Sequence, residues 1–211
     1  MTVNFINGTA AFAVSTTTAI CNVPSGVQDN DQLLMFVVTT GGTGITVTLP
    51  GGWTSILNVT DGTNMRVVIA SRIASSEPAS YTSTLSGTAS AAGGNIVAIR
   101  GQDLVSAVEN SSSNVNTAGT TVTALGVTAI TDGDFIQFFA VGTTASPSYT
   151  PPSGMTERVD SSGTTLADKI QAAAGGTGNQ SATGSLSART IAILVAVKPR
   201  LGWYMPLMGV G

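Results

Sequence analysis

The stretch Asp29–Val38 reads DNDQLLMFVV, and Asp132–Val141 reads DGDFIQFFAV. Each opens with an Asp-x-Asp pair and runs into a strand-length segment that is apolar at nearly every position. Asp31 stands over Asp134, an offset of 134 − 31 = 103. Upstream, TTTAICNVPSGVQ (Thr16–Gln28) lies over GTTVTALGVTAIT (Gly119–Thr131) at the same spacing, which puts Cys21 on Ala124. Downstream, LPGGWTSI (Leu49–Ile56) is echoed by TPPSGMTERV (Thr150–Val159), with Pro50, Gly52, Trp53 and Thr54 matching Pro152, Gly154, Met155 and Thr156. The offset then shrinks: 163 − 62 = 101 for Gly62 and Gly163, and 196 − 98 = 98 between NIVAIRG (Asn95–Gly101) and ILVAVKP (Ile193–Pro199). Small deletions in loops produce that drift. The chain therefore reads as a tandem duplication: residues 1–101 a first repeat with an N-terminal segment, 102–114 a linker, 115–199 a second repeat, and 200–211 an apolar C-terminal arm.

Each copy reads as all-β. Turn signals (Pro-Ser-Gly, Thr-Gly-Gly, Asp-Gly, Gly-Gly-Asn) recur at roughly the 8–12-residue spacing of sandwiches and barrels, and helical periodicity is nearly absent. MRVVIASRIA alternates, with Met65, Val67, Ile69 and Ile73 on one face and Arg66 and Arg72 on the other. In PGGW and PSGM, proline sets φ, glycine permits a reversal, and Trp53 or Met155 is placed to cap the end of a core. Four segments do not alternate: Leu33–Val38, Ile96–Ile99, Phe135–Val141 and Ile191–Val197 are apolar on both faces. A strand of that kind must be covered on both faces. The expected fold is a jelly-roll-like β-sandwich of two similar halves, packed on each other or on neighbouring subunits through these sheets.

Composition narrows the function. The 211 residues are 42% hydrophobic and only 9% charged, against about 25% charged in an average domain, so Ser, Thr, Asn and Gly must wet the surface. Such a surface suits a subunit of an assembly better than a freely diffusing enzyme. A net charge of −3 with eight scattered Lys and Arg gives no footprint for nucleic acid or an anionic membrane. The N-terminus has no basic n-region of a secretory signal, and no apolar run reaches the roughly 20 residues of a helical membrane span. The expectation is a product made in a cytoplasm.

Candidate chemistry is sparse. The repeated pairs Asp29/Asp31 and Asp132/Asp134 offer oxygen ligands of the kind Ca²⁺ takes; the simpler reading is that they close turns by bonding the backbone. Cys21 sits in a strand-like run as a small buried hydrophobe, and the chain has no histidine to serve as its base. The glycine-rich loops Thr39–Val47 and Ala172–Gln180 lack the phosphate-cradling pattern. Glu157 with an aspartate is the one pairing a glycosidase reading could use. No catalytic residue, metal site or cofactor is assigned. Beyond the repeat, RLGWYMPLMGVG carries Leu201, Trp203, Tyr204, Met205, Leu207 and Met208 in a charge-poor tail. Either it folds back over its own subunit or it is an arm that docks on a partner, with Trp and Tyr as anchors.

The series DQLLMFVVTTGG, PGGWTSI, RVVIASRIASSEPASYTSTLSG and NIVAIRG, followed by DGDFIQFFAV, PPSGMTER, LADKIQAAAGGTG and AILVAVKP, resembles β-sandwich accessory virion proteins of bacteriophages, tail- or fibre-associated components and head decorations. The resemblance runs to Pro199 and rests on structural turns and strands. It implies a non-enzymatic virion structural protein, made in the host bacterial cytoplasm, whose partners are other virion proteins and copies of itself. Tail or fibre association comes first and capsid decoration second. A receptor- or glycan-binding adhesion module, with a host-surface glycan or receptor as partner, is the alternative of a different class.

Overall fold

The structure is a computed structural model and describes residues 2–143 and 147–200. The chain forms two antiparallel six-stranded sheets with the same plan. In the first half, β1 (Asn4–Asn22), β2 (Gln32–Thr40), β3 (Val47–Thr48), β4 (Thr54–Asp61), β5 (Met65–Ile73) and β6 (Ser80–Arg100) run in the order β1-β6-β2-β5-β4, with β3 on β6. In the second, β7 (Val108–Ala124), β9 (Asp134–Gly142), β10 (Tyr149–Thr150), β11 (Thr156–Ser161), β12 (Thr164–Gln171) and β14 (Gln180–Val197) repeat it, β14 holding β7, β9 and β10. A short ribbon of β8 (Thr128–Ala129) and β13 (Gly175–Gly176) is added in the second half. The nested pairing of β1 with β6 around β2 with β5 is the rolled-up, jelly-roll-like arrangement.

The two-faced strands are explained by sorting on parity. On β2, Leu34, Phe36 and Val38 enter a central core, while Leu33, Met35 and Val37 enter an outer core that belongs to the first half. On β9, Phe135, Phe139 and Val141 point to the same central core, and Ile136, Phe138 and Ala140 to the second half's own outer core. The central core is the contact between halves. The outer cores are closed by the long strands themselves. On β6, residues 80–86 alternate between buried and exposed, whereas 92–99 are buried throughout. One strand thus serves first as a cover with one wet face and then as an inner strand with none. β14 makes the same change between its Gln180 end and Thr190–Val197.

The change of layer needs a bend, and the register shows where it falls. Thr16 pairs with Ala89 but Thr18 with Thr84, so two residues of β1 span five of β6. Gly119 pairs with Ala188 and Thr121 with Thr183, the same two-against-five step in the second half. Such bulges kink a strand and increase its twist. The turns recur as faithfully. Gly52 (φ +82°) and Gly154 (φ +76°) take the left-handed conformation that glycine tolerates, and Trp53 and Met155 beside them are buried in the two outer cores.

Two readings of the sequence differ from this architecture. Gly93-Gly94-Asn95 is no turn but lies inside β6. A Cβ on Gly93 would come 2.0 Å from the Ala11 carbonyl oxygen and one on Gly94 2.1 Å from that of Phe36, so the glycines admit neighbouring backbone. Likewise, 108–114 is not linker: it is the first part of β7, paired from Val108↔Val197 to Asn114↔Ala192, and only 102–107 connects the halves. Its Asn and Ser side chains suggest a polar connector, yet they repeat bonds of the first copy. Asn7 and Asn110 each accept the next residue's N–H, and Thr9 and Ser112 each donate to a carbonyl thirteen residues on.

The halves face each other about an approximate two-fold axis. Phe36 and Phe139 hold the same place in the two copies (139 − 36 = 103), and their rings stack at 4.6 Å with planes 17° apart. β1 touches β11 and, reciprocally, β7 touches β4, the pattern of an isologous dimer interface. Phe36→Ala and Phe139→Ala should each cost about 3–5 kcal/mol. Because the rings touch, the double variant should lose less than the sum by about 0.5 kcal/mol or more. Urea unfolding of the four proteins measures this, and strict additivity would place the two rings out of contact.

Candidate functional site

Three of the four repeated aspartates, Asp29, Asp31 and Asp132, are turn and strand anchors. Asp29 accepts the Ser76 N–H at 2.8 Å and Asp132 the Ala174 N–H at 2.7 Å, the same task in each copy. Asp31, buried at the start of β2, accepts the Gln28 N–H at 2.8 Å and both arms of the Arg100 guanidinium at 2.7 Å. This bidentate fork is the strongest ion-pair geometry available to a carboxylate. Its counterpart Asp134 has no such partner: it is fully buried, and neither oxygen accepts a hydrogen bond. Burial first, then the neighbouring Glu109 carboxyl, pushes Asp134 up to about 7. Burial would also raise Glu109, but the bonds it accepts, from the Thr131 hydroxyl first and then from the Ile130 N–H, help to outweigh it and leave Glu109 below its usual range. Among the described residues no group of three or more His, Cys, Asp or Glu is placed to hold a metal ion.

The other candidates from the sequence separate in space. Cys21 lies in the first outer core, fully buried, and burial pushes its thiol up to about 12. Glu157 stands exposed on β11; burial of part of its side chain, then the charge of Asp160, raises it. Glu77 is spent on structure, accepting from Tyr81 Oη and the Ser75 N–H and pairing with Arg72 at 3.1 Å. Of the glycine-rich loops, the first packs a 3-10 turn, Gly42–Gly44, so tightly on the β4–β5 turn that a Cβ on Gly42 would lie 2.0 Å from Gly62 O. The second supplies β13. Leu201, Trp203, Tyr204, Met205, Leu207 and Met208 lie outside the described residues. The chain reaches them from Pro199, bridged to Gln102, and from Arg200, whose N–H donates to Gly101 O at 2.8 Å.

Two features were not read from the sequence. Glu109 was hidden in the stretch taken for a linker. The other is a cleft of about 820 Å³ where the two sheets part at one end of the central core. Val38 and Val141, equivalent in the two copies, line it with Phe12 and Met65. Thr40, Asn64, Ser90 and Thr143 supply hydroxyl and amide groups, and among the described residues no charged one lines it. Its size falls within the range of small-molecule sites. It is assembled from widely separated segments, so no local motif announces it.

Fold and side chains together define a tandem all-β sandwich with engaged acidic turns and an uncharged cleft at the seam. Comparison with family models, with curated proteins and with solved structures finds no match to this chain. No helix among the described residues is long and apolar enough to cross a membrane.

The position of Cys21 sets a clear expectation. A thiol held up by burial is neither ionised nor reachable at neutral pH, so modification by a thiol reagent should wait on unfolding and share its dependence on urea. Stoichiometric labelling of the native protein within minutes would contradict this placement.

Proposed function

We propose that the chain is a non-enzymatic structural component of a bacteriophage virion, tail- or fibre-associated and assembled as an oligomer. Capsid decoration is the nearest variant within the same class. The observation that carries the reading is how little charge the surface would have to give up on assembly. Of eight Lys and Arg in the chain, five are already in ion pairs with the chain's own carboxylates: Arg72–Glu77, Arg100–Asp31, Arg158–Asp168, Arg189–Asp61 and Lys198–Asp103. Arg66 is turned onto the Ile45 and Gly42 carbonyls. Removing an unpaired charge from water costs several kcal/mol, more than burying a hydroxyl that finds a partner, while methyl groups gain by burial. Exposed Val14, Val105 and Ile130 add apolar contact points.

A second reading rests on the cleft. Its apolar floor, single aromatic and uncharged hydroxyl and amide rim suit a neutral saccharide, which offers apolar ring faces and hydroxyl edges at once. Adhesion to a host-surface glycan would use that site.

Two experiments separate these readings. Ending the chain at Arg200 should leave the urea midpoint of the core unchanged while abolishing self-association and incorporation into particles. Unchanged oligomeric state and incorporation would reject the apolar tail as a docking arm, and labelling on intact particles by electron microscopy distinguishes tail from head. Adsorption tests the cleft: free protein that blocks phage adsorption, with Ser90→Asp on the cleft rim losing the block, favours the adhesin. Absence of any block leaves the structural role standing alone.

A further inference from the structure

The two copies solve one electrostatic problem differently. At the end of β6, Arg100 lies across from Asp31 and grips its carboxylate. The register of β14 on β9, ending at Val197↔Phe135, brings Lys198 across from Asp134 in the same way. Lys198 does not engage it: its ammonium donates to Ser106 Oγ at 2.9 Å and lies 3.8 Å from Asp103. A guanidinium presents a planar fork that spans both carboxylate oxygens, which an ammonium cannot do. Asp134 is left buried with no hydrogen-bond partner, and the Glu109 carboxyl, near the start of β7, is bonded to Ile130 and Thr131 in the turn that leads into it.

A buried carboxylate beside a half-buried one cannot ionise without a penalty. One proton between them removes a charge and gives Asp134 the hydrogen-bond partner it otherwise lacks. Glu109 is the natural acceptor, because it already receives the Ile130 N–H at 3.0 Å and the Thr131 hydroxyl. We propose that Asp134 and Glu109 share a single proton and form a pH-sensitive latch, which ties the start of β7 and the turn at residues 130–133 to β9 while the proton is bound and loosens them when it leaves.

The charged groups on the surrounding elements do not supply the missing partner. Asp132 is committed to the Ala174 N–H, Lys169 on β12 lies in the register of Ile136, two residues further along β9, and Lys198 acts on Glu109 from its place beside Ser106 and Asp103. The sign follows from the direction of the shift. Asp134 is raised above the unfolded value of about 3.9, so its contribution is whole below that pH. It falls away as pH rises and is gone once the pair ionises above about 7. The chain has no histidine, so a side chain titrating near neutrality has no ordinary competitor.

The test uses the full chain. Carboxyl ¹³C shifts followed from pH 3 to 9 should show one Asp resonance with a midpoint near 7. Between pH 5.5 and 8 the folded-to-unfolded ratio from urea unfolding should drop by about tenfold or more. Asp134→Asn, which keeps the donor and removes the titration, should flatten that drop, and Lys198→Arg should reduce it by restoring the grip seen at Asp31. If Asp134→Asn fails to fold, Glu109→Gln replaces it and should reduce the drop, leaving only the part that burial imposes on Asp134. A wild-type protein with every carboxyl midpoint below about 5, or variants that keep the full pH dependence, would overturn the latch.

Discussion

The structure depends on one constraint: β2, β9 and the last parts of β6 and β14 are apolar on both faces, and every one of those faces must be hidden. A single sheet cannot hide two of its own faces. Duplication supplies one cover, because each half's inner sheet becomes the lid of the other across the Phe36–Phe139 stack. Bending supplies the second, because β1, β6, β7 and β14 are long enough to leave the inner layer and return as an outer one. At 17 to 21 residues they are several times the usual strand length. The result is four layers and three cores from one chain, so the two-faced strands by themselves call for no neighbouring subunit.

Once copied, the halves were free to diverge wherever the constraint was met by other means. The central seam shows this most clearly. Arg189 of β14 reaches Asp61 of β4, Asn95 donates to Thr164 Oγ1 at 3.2 Å, and the Arg158 guanidinium sits 4.5 Å over the Phe5 ring. None of these contacts has a twin across the approximate axis. The apolar ones do: Val38 with Val141 and Phe36 with Phe139 keep the same positions. Polar contacts at such a seam set register and orientation more than affinity, so they can differ in each copy while the packing that joins the halves is retained.

What the sequence reveals follows from the same physics. The doubly apolar strands and the PGGW and PSGM turns were legible, because each is imposed by a local rule of burial or backbone geometry that leaves a local mark. Gly93-Gly94 misled because glycine marks two opposite things, a reversal or a close approach of straight strands, and only the neighbouring backbone at Ala11 and Phe36 decides between them. Asn110 to Asn114 misled because their place in β7 comes from backbone pairing with β14, which no side-chain pattern records. The cleft was invisible for a related reason: Phe12, Val38, Met65 and Val141 are each ordinary core residues until the sheets diverge. Glu109 mattered only once Lys198 was seen to point elsewhere.

Charge is scarce in this protein, and much of it is spent on ion pairs within the chain. The Asp61 carboxyl, held below its usual range first by its hydrogen bonds from Arg189, supports the seam above about pH 4 and gives way below it. Asp134 works in the opposite sense, favouring the folded state in acid and less so toward neutrality. Since one carboxylate has a cation and the other only a second carboxylate, the two set limits on opposite sides of a window of mild acidity. One ion pair, Arg189–Asp61, joins the halves and the others brace turns and strands, while much of the remaining surface is hydroxyls, amides and methyl groups.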